Sequence, residues 1–214
     1  MTIIVATKRD TFAVLAADQF HGSNSGPPQF ATKLATHTKL PLAFAVGGAS
    51  WWPIGTPGRP ATAHLQDFAA TIRSMEELVV SDLAEKLRIL VQPAMEHMQD
   101  KTTIYIALCK NGQPSLGIQQ VSATRLTDDP TRFIPLCEPF MPPAIRAFFH
   151  QESLCSSVHD SSITKPDAVG ESVRVVIQKC MDHEKSNNNN GQNRTIGGTI
   201  QVAIIEPSGP PWVI

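Results

Sequence analysis

Short apolar runs separated by polar turns occupy the first fifty residues of the chain. Residues 2–6 and 11–17 are two such runs, and the charged segment Lys8-Arg9-Asp10 lies between them. Apolar runs of this length bounded by turn residues are typical of β-strands, so the pair predicts a β-hairpin. A polar segment follows, and two further strands are predicted at 33–36 and 40–46. The first part of the chain is therefore expected to be a meander of strands.

The periodicity changes to that of helices between residues 61 and 98. Apolar side chains recur there every three or four residues, at Leu65, Phe68, Ala69 and Ile72 and then at Leu83, Leu87, Leu90 and Val91. This spacing predicts one or two amphipathic helices, and Ser74 with Glu77 matches a capping box. Pro93 is expected to kink or end the second helix, because proline has no N–H to donate.

Strand pattern returns after these helices. Residues 103–108 and 116–121 are predicted strands, and Asn111-Gly112 between them is a strong hairpin signal. The stretch 130–165 is rich in Pro and Ser, so we expect a short helix at 142–149 and a solvated loop around His159.

A helix and a strand complete the predicted elements. Apolar residues from Val169 to Cys180 form a helical stripe with Pro166 in its first turn, and 199–205 is the last strand after a polar loop at 187–191. The predicted elements follow the order strands, helices, strands, helix and strand. This order predicts an α+β fold of two sheets sandwiched by helical layers.

Composition limits the classes of function. The chain has 214 residues and is expected to form a single domain over 1–214. Its net charge of −1 gives no electrostatic reason to expect a nucleic-acid or membrane-surface partner. No apolar run is long enough to span a membrane and no signal peptide is evident, which predicts a cytoplasmic protein. The spacing of His and Cys residues predicts neither a metal site nor a cofactor site.

The second residue of the chain is a threonine. We expect Met1 to be removed, because the small residue behind it permits trimming, and Thr2 would then carry a hydroxyl and a free α-amine. Such a residue combines nucleophile and base, and an α-amine with a pKa of about 7.7 to 8.0 is a usable base near neutrality. Many cytosolic chains begin Met-Thr without this chemistry, so the dipeptide alone leaves both interpretations open.

Two charged residues in the predicted strands could serve such a nucleophile. Asp18 ends the second strand, which a tight hairpin would return beside the first, and Lys33 is a lone lysine among small residues. A cation there would keep the amine unprotonated and the hydroxyl acidic, and a carboxylate would hold the cation in place. Taken singly, Asp18 also fits a turn and Lys33 an exposed strand position, because charged residues are mostly solvated.

Together these residues resemble the catalytic β-type subunits of the proteasome and the related bacterial peptidase HslV, which are N-terminal-nucleophile hydrolases. The shared pattern is Thr-x-x-Val from Thr2, Val-Leu-Ala-Ala-Asp ending at Asp18, the lone Lys33, and Ala-Val-Gly-Gly-Ala at 45–49. The segment 196–200 resembles the family's Ser-Gly-Gly before its last strand. The likeness is strong over residues 2–49, fair over 166–205 and topological between, and it is greatest to the small proteasome homologues of some proteobacteria.

The resemblance implies a four-layer αββα sandwich of two antiparallel sheets between helices, and it assigns roles. Thr2 would be the nucleophile, with its own amine as the general base. Lys33 would lower the pKa of the hydroxyl, Asp18 would orient Lys33, and the Gly47 N–H would donate to the oxyanion. Four small residues match substrate-binding positions and imply a roomy apolar pocket for large hydrophobic side chains: Ala31, Ala35, Ala45 and Ala49.

The chain departs from the family where a serine and an aspartate support the threonine's amine. The turn corresponding to the family's Gly-Ser-Gly is assigned to 135–139, Asn193 stands at the aspartate position, and Ile196 replaces the serine of Ser-Gly-Gly. Loss of such supporting groups can leave reactive groups present but loosely held.

Two functions are therefore open. The first is a threonine peptidase that cleaves unfolded polypeptides inside stacked homo-oligomeric rings, with an ATP-dependent unfoldase as a candidate partner. The second is a ring-forming scaffold or binding protein with weak catalysis or none.

Overall fold

The computed structural model describes residues 2–21, 29–49, 51–55, 58–98, 101–122, 132–133, 137–187 and 196–214. Its strands are β1 Ile4–Lys8, β2 Ala13–Asp18, β3 Phe20–His21, β4 Gln29–Phe30, β5 Leu34–Thr36, β6 Leu42–Gly48, β7 Trp51–Trp52, β8 Arg59–Pro60, β9 Lys101–Lys110, β10 Gln113–Ser122, β11 Arg132–Phe133, β12 Cys137–Phe140, β13 Ile200–Ile205 and β14 Trp212–Val213. Its helices are α1 Ala61–Thr71, α2 Val80–Met98, α3 Pro143–Gln151, α4 Leu154–His159 and α5 Pro166–Asn187, with a 3₁₀ turn at Met75–Glu77.

Ten of these strands form two five-stranded antiparallel sheets. Sheet I has the order β12-β1-β2-β13-β14, and sheet II has the order β11-β10-β9-β6-β5. The predicted α+β class is confirmed, with antiparallel sheets and helices in separate stretches of the chain.

Three apolar clusters hold the sheets and helices together. One joins the outer side of sheet II to α1 and α2, for example through Phe44, Leu65 and Leu87. A second joins sheet I to α3, α4 and α5, and a third contains side chains of both sheets, including Leu15 and Tyr105. Side chains alternate along a strand, so β6 contributes Phe44 to the first cluster and Ala45 to the third.

Several predicted local signals are confirmed. The first two runs form the β1–β2 hairpin, in which Ile4 is opposite Ala17. Asn111 and Gly112 have φ of 51° and 75°, as a two-residue hairpin turn with positive φ at both central residues requires. The capping box of Ser74 and Glu77 is present at the start of the 3₁₀ turn.

Two expectations about this part of the fold are wrong, and a third is wrong in part. Helix α2 does not end at Pro93 but continues to Met98, and the buried side chains of Ala94 and Met95 in the first cluster offset the hydrogen bond that proline cannot make. The segment 135–139 is not the turn before α3, because Cys137–Phe140 is strand β12, paired with β1. Residues 135 and 136 lie outside the described residues.

The solvated loop expected around His159 is instead the end of helix α4. Leu154 and Val158 are four residues apart and bury one face of this helix in the second cluster. The Arg9 guanidinium donates to the Val158 carbonyl at 2.6 Å, which ties the β1–β2 turn to the helix end. Burial, with a smaller contribution from Arg9, lowers the pKa of the half-buried His159.

Gly48 occupies a position that other residues would strain. Its φ is +86°, and a Cβ atom there would lie 2.5 Å from the Lys101 carbonyl oxygen. Gly112 has a similar φ of +75°, but a Cβ there would meet nothing within 4 Å. A side chain at Gly112 would therefore meet backbone strain alone, whereas a side chain at Gly48 would meet both backbone strain and steric overlap.

Replacing each glycine with alanine tests this difference. We expect Gly112→Ala to lower the free energy of unfolding by about 1–2 kcal/mol through left-handed strain alone. Gly48→Ala should lower it further, because the overlap with Lys101 adds to the strain. Denaturant titration of both variants measures the two losses, and equal losses would contradict the close approach at Gly48.

Candidate functional site

A buried carboxylate lies where three segments of the chain meet. Asp18 is fully buried at the end of β2. Its Oδ1 accepts the Ile3 N–H at 2.9 Å and the Lys33 Nζ at 3.0 Å, and its Oδ2 accepts the Gly197 N–H at 2.9 Å. The carboxylate therefore fixes the start of β1, the lysine before β5 and the loop before β13 relative to one another.

Lys33 is buried despite its charge. It is 2% exposed, its N–H donates to the Gln201 side-chain oxygen at 3.3 Å, and its carbonyl accepts the Val46 N–H at 3.1 Å. Burial lowers the pKa of Lys33, and the nearby Asp18 carboxylate offsets only part of that effect. The interpretation of Lys33 as an exposed strand lysine is therefore wrong.

Thr2 lies beside this ion pair. It is 4% exposed and directly precedes Ile3, whose N–H and carbonyl both bond to Asp18, the carbonyl accepting the Asp18 N–H at 3.2 Å. The side-chain oxygen that accepts the Ile3 N–H is the one that accepts the Lys33 ammonium. The structure thus brings Thr2, Asp18 and Lys33 together at one end of sheet I.

Gly47 lies near the end of β6, opposite Thr103 of β9. The Ala49 N–H donates to the Lys101 carbonyl on the β9 side. Because N–H groups alternate in direction along an antiparallel strand, the Gly47 N–H is directed toward β9 as well. The Val46 N–H has the opposite direction and donates to the Lys33 carbonyl at 3.1 Å.

The glycine at position 47 is required by close packing. A Cβ atom there would lie 2.7 Å from the Phe140 ring and 3.2 Å from the Ile4 side chain. The Gly47 carbonyl also accepts the Thr102 hydroxyl at 3.2 Å. The end of β6 is thereby held close to β12 and to the start of β1, which follows Thr2.

The four alanines predicted to bind substrate lie in different surroundings. Ala35 and Ala49 belong to the cluster beneath α1 and α2, and Ala45 belongs to the cluster shared by the two sheets. Ala31 is half-buried, and its N–H donates to the Gln19 carbonyl at 2.9 Å. Their role in a substrate pocket stays a prediction.

Apolar residues stand at Ile196 and directly after β12. Ile196 is fully buried in the cluster of sheet I, and Met141-Pro142 connects β12 to α3. Asn193, predicted to stand at the aspartate position, lies outside the described residues.

Sequence reasoning missed Glu184. Its side chain is 5% exposed on α5, and its Oε2 accepts the Ile196 N–H at 3.0 Å. The signal was present in the sequence, because Glu184 follows Ile177 and Cys180 at seven and four residues and so continues the apolar stripe of the helix. A carboxylate in such a stripe is costly to bury without a hydrogen-bond donor.

Within the described parts of the chain, no group of three or more His, Cys, Asp or Glu side chains could hold a metal ion. No helix in the same parts combines the length and the apolar character that crossing a bilayer requires.

No protein-family model matches the chain, and no curated protein matches it significantly.

The pKa of Lys33 makes a testable contribution to stability. The unfolded chain keeps the Lys33 proton up to the ordinary value of 10.5, whereas the folded protein releases it at lower pH. Between the lowered pKa and 10.5 the unfolded state binds more protons, so the free energy of unfolding gains a positive slope with pH. Replacing Lys33 with methionine removes this slope.

We therefore expect the wild-type free energy of unfolding, minus that of Lys33→Met, to rise from about pH 7 to about pH 10. Denaturant titrations at both pH values measure this difference. Lys86→Met is the control, since Lys86 is exposed on α2, and its difference from wild type should stay flat. A wild-type advantage over Lys33→Met that shrinks with rising pH would mean that Asp18 raises the Lys33 pKa overall.

Proposed function

We propose that this chain is a threonine peptidase of the proteasome β type, with the four-layer αββα arrangement of N-terminal-nucleophile hydrolases. The layer proposal is supported by two antiparallel sheets that share one apolar cluster, with α1 and α2 against one sheet and α3 to α5 against the other. The function rests on the resemblance of residues 2–49 and on the geometry at Thr2.

The observation that carries the proposal is the shared Oδ1 oxygen of Asp18. It binds the Lys33 ammonium at 3.0 Å and the N–H of the residue after Thr2 at 2.9 Å. A cation held there by a buried carboxylate stabilises negative charge on the neighbouring threonine hydroxyl, and its field disfavours protonation of the α-amine. These are the two conditions that a threonine needs to act as both nucleophile and base.

The proposed reaction has two halves. In the first, the α-amine takes the proton of the Thr2 hydroxyl while Oγ1 bonds to the carbonyl carbon of the peptide bond. The tetrahedral intermediate collapses, the C–N bond breaks, and the leaving amine takes the proton back from the Thr2 ammonium. In the second, the amine deprotonates a water that attacks the ester carbon, the bond between that carbon and Oγ1 breaks, and Oγ1 takes the proton back from the ammonium as the acid product leaves.

The oxyanion of the intermediate needs an N–H donor from the end of β6. The resemblance assigns this role to the Gly47 N–H, but the pairing of β6 with β9 directs that N–H toward β9, so we propose the neighbouring Gly48 N–H as the donor instead. A donor of this kind contributes about 2.7 to 4 kcal/mol to transition-state stabilisation.

The proposed setting is a cytoplasmic ring of identical subunits that admits unfolded polypeptides. An ATP-dependent unfoldase is the candidate partner that would deliver them. Both proposals rest on the family resemblance.

A non-catalytic ring scaffold is the second candidate. It is favoured by the buried Ile196, an apolar residue at the position that the resemblance assigns to the serine of Ser-Gly-Gly. Such a protein would assemble into rings and leave peptides uncut.

Substitution of Thr2 tests the peptidase proposal. We expect wild-type protein whose intact mass lacks Met1 to cleave fluorogenic peptides, and Thr2→Ala to cleave at the uncatalysed rate. Thr2→Ser should retain a lower rate, because serine keeps the hydroxyl but loses the β-branch that restricts its rotamers. Retained Met1, or a Thr2→Ala rate equal to wild type, would contradict the mechanism.

The small residues at the predicted substrate positions generate a prediction about specificity. We expect kcat/KM for peptides with Leu or Phe at the cleaved position to exceed that for Asp or Arg by about tenfold or more, because an apolar pocket leaves charges unpaired. A matched panel that differs only at this position measures the ratio. A preference for an acidic or basic side chain would contradict the apolar pocket.

A further inference from the structure

Helix α5 buries a carboxylate that the proposed reaction does not use. Glu184 is 5% exposed and lies near the apolar side chains of the second cluster, which includes Cys180, Met181 and Ile196. Its Oε2 accepts the Ile196 N–H at 3.0 Å. A buried carboxylate is retained at low cost only where donors compensate its loss of water, and this N–H is such a donor.

The next residue along the chain is bound by a second buried carboxylate. The Gly197 N–H donates to Asp18 Oδ2 at 2.9 Å, and the Gly197 carbonyl accepts the Gln19 N–H at 3.1 Å. Two consecutive N–H groups of one loop are therefore held by Glu184 on one side and by Asp18 on the other. Rotation of this loop about its backbone would break one or both bonds.

The orientation of the Asp18 carboxylate depends on this loop. Its Oδ2 is held by Gly197, and this leaves Oδ1 facing the Ile3 N–H and the Lys33 ammonium. Loss of the Gly197 bond would remove one constraint on the carboxylate, whose terminal torsion has a broad energy profile. The place of Lys33 beside Thr2 would then be less tightly fixed.

We propose that Glu184 is a positioning residue of the peptidase reaction, an inference that rests on the proposed function. It holds Ile196 and, through Gly197, aligns Asp18 with Lys33 and Thr2. In this chain a helix carboxylate thereby supports the loop at a place where the serine of Ser-Gly-Gly is replaced by an isoleucine.

The test uses the full chain with Met1 removed and follows its covalent inactivation by a peptide epoxyketone, which requires both the hydroxyl and the free amine of Thr2. We expect Glu184→Ala to lower the maximal rate of inactivation by about tenfold or more, because misplacement of reacting groups is costly. The inhibitor concentration at half-maximal rate should stay near the wild-type value. Glu184→Gln keeps an oxygen that can accept the Ile196 N–H, so it should recover most of the rate.

Met181→Ala is the matched control for stability. Met181 lies in the same cluster on the same helix, and its truncation should lower the melting temperature and leave the maximal rate per folded molecule unchanged. A Glu184→Ala rate equal to wild type, or a Glu184→Gln rate no better than Glu184→Ala, would overturn the positioning role alone. Wild-type protein that lacks Met1 and does not react would overturn the peptidase proposal and the role of Glu184 with it.

Discussion

The ion pair of Asp18 and Lys33 is the interaction on which the candidate site depends. Asp18 is 0% exposed and Lys33 is 2% exposed. The 3.0 Å contact between them joins the end of β2 in sheet I to the residue that precedes β5 of sheet II. The same carboxylate accepts two backbone N–H groups, one from the start of β1 and one from the loop before β13. The Asp18 side chain thus fixes three other segments of the chain relative to the end of β2.

Burying such an ion pair has a large cost in free energy. Removing two charges from water costs several kcal/mol per ion, and a well-packed apolar pair of the same volume is often as stable. Asp18 regains part of this cost through its three donors, yet burial still lowers the pKa of Lys33. Under the peptidase proposal, this buried charge pair serves the chemistry at Thr2 and not the stability of the fold.

Local signals in the sequence were sufficient for much of the fold. The β1–β2 hairpin, the turn at Asn111 and the capping box at Ser74 follow from residues close to one another in the chain, and the family resemblance pointed to Asp18 and Lys33. Features that depend on distant contacts were not predictable. Helix α4 is a single short segment held by Arg9, and α2 passes Pro93 because its last turns are buried.

Some features of the candidate site also depend on distant contacts and were not predictable from the sequence. The direction of the Gly47 N–H depends on strand register, which a one-residue shift would reverse, and composition alone does not determine it. Glu184 was detectable as a charge in an apolar stripe, but its partner Ile196 is twelve residues away along the chain. Sequence thus indicated the candidate residues Thr2, Asp18 and Lys33, whereas their support and orientation depend on the tertiary structure.

The most direct test of a nucleophilic Thr2 is the site of covalent attachment of a peptide epoxyketone, mapped by mass spectrometry after digestion. The account predicts one adduct, on an N-terminal peptide that begins at Thr2. An N-terminal peptide that keeps Met1, or an adduct confined to any other residue, would contradict it.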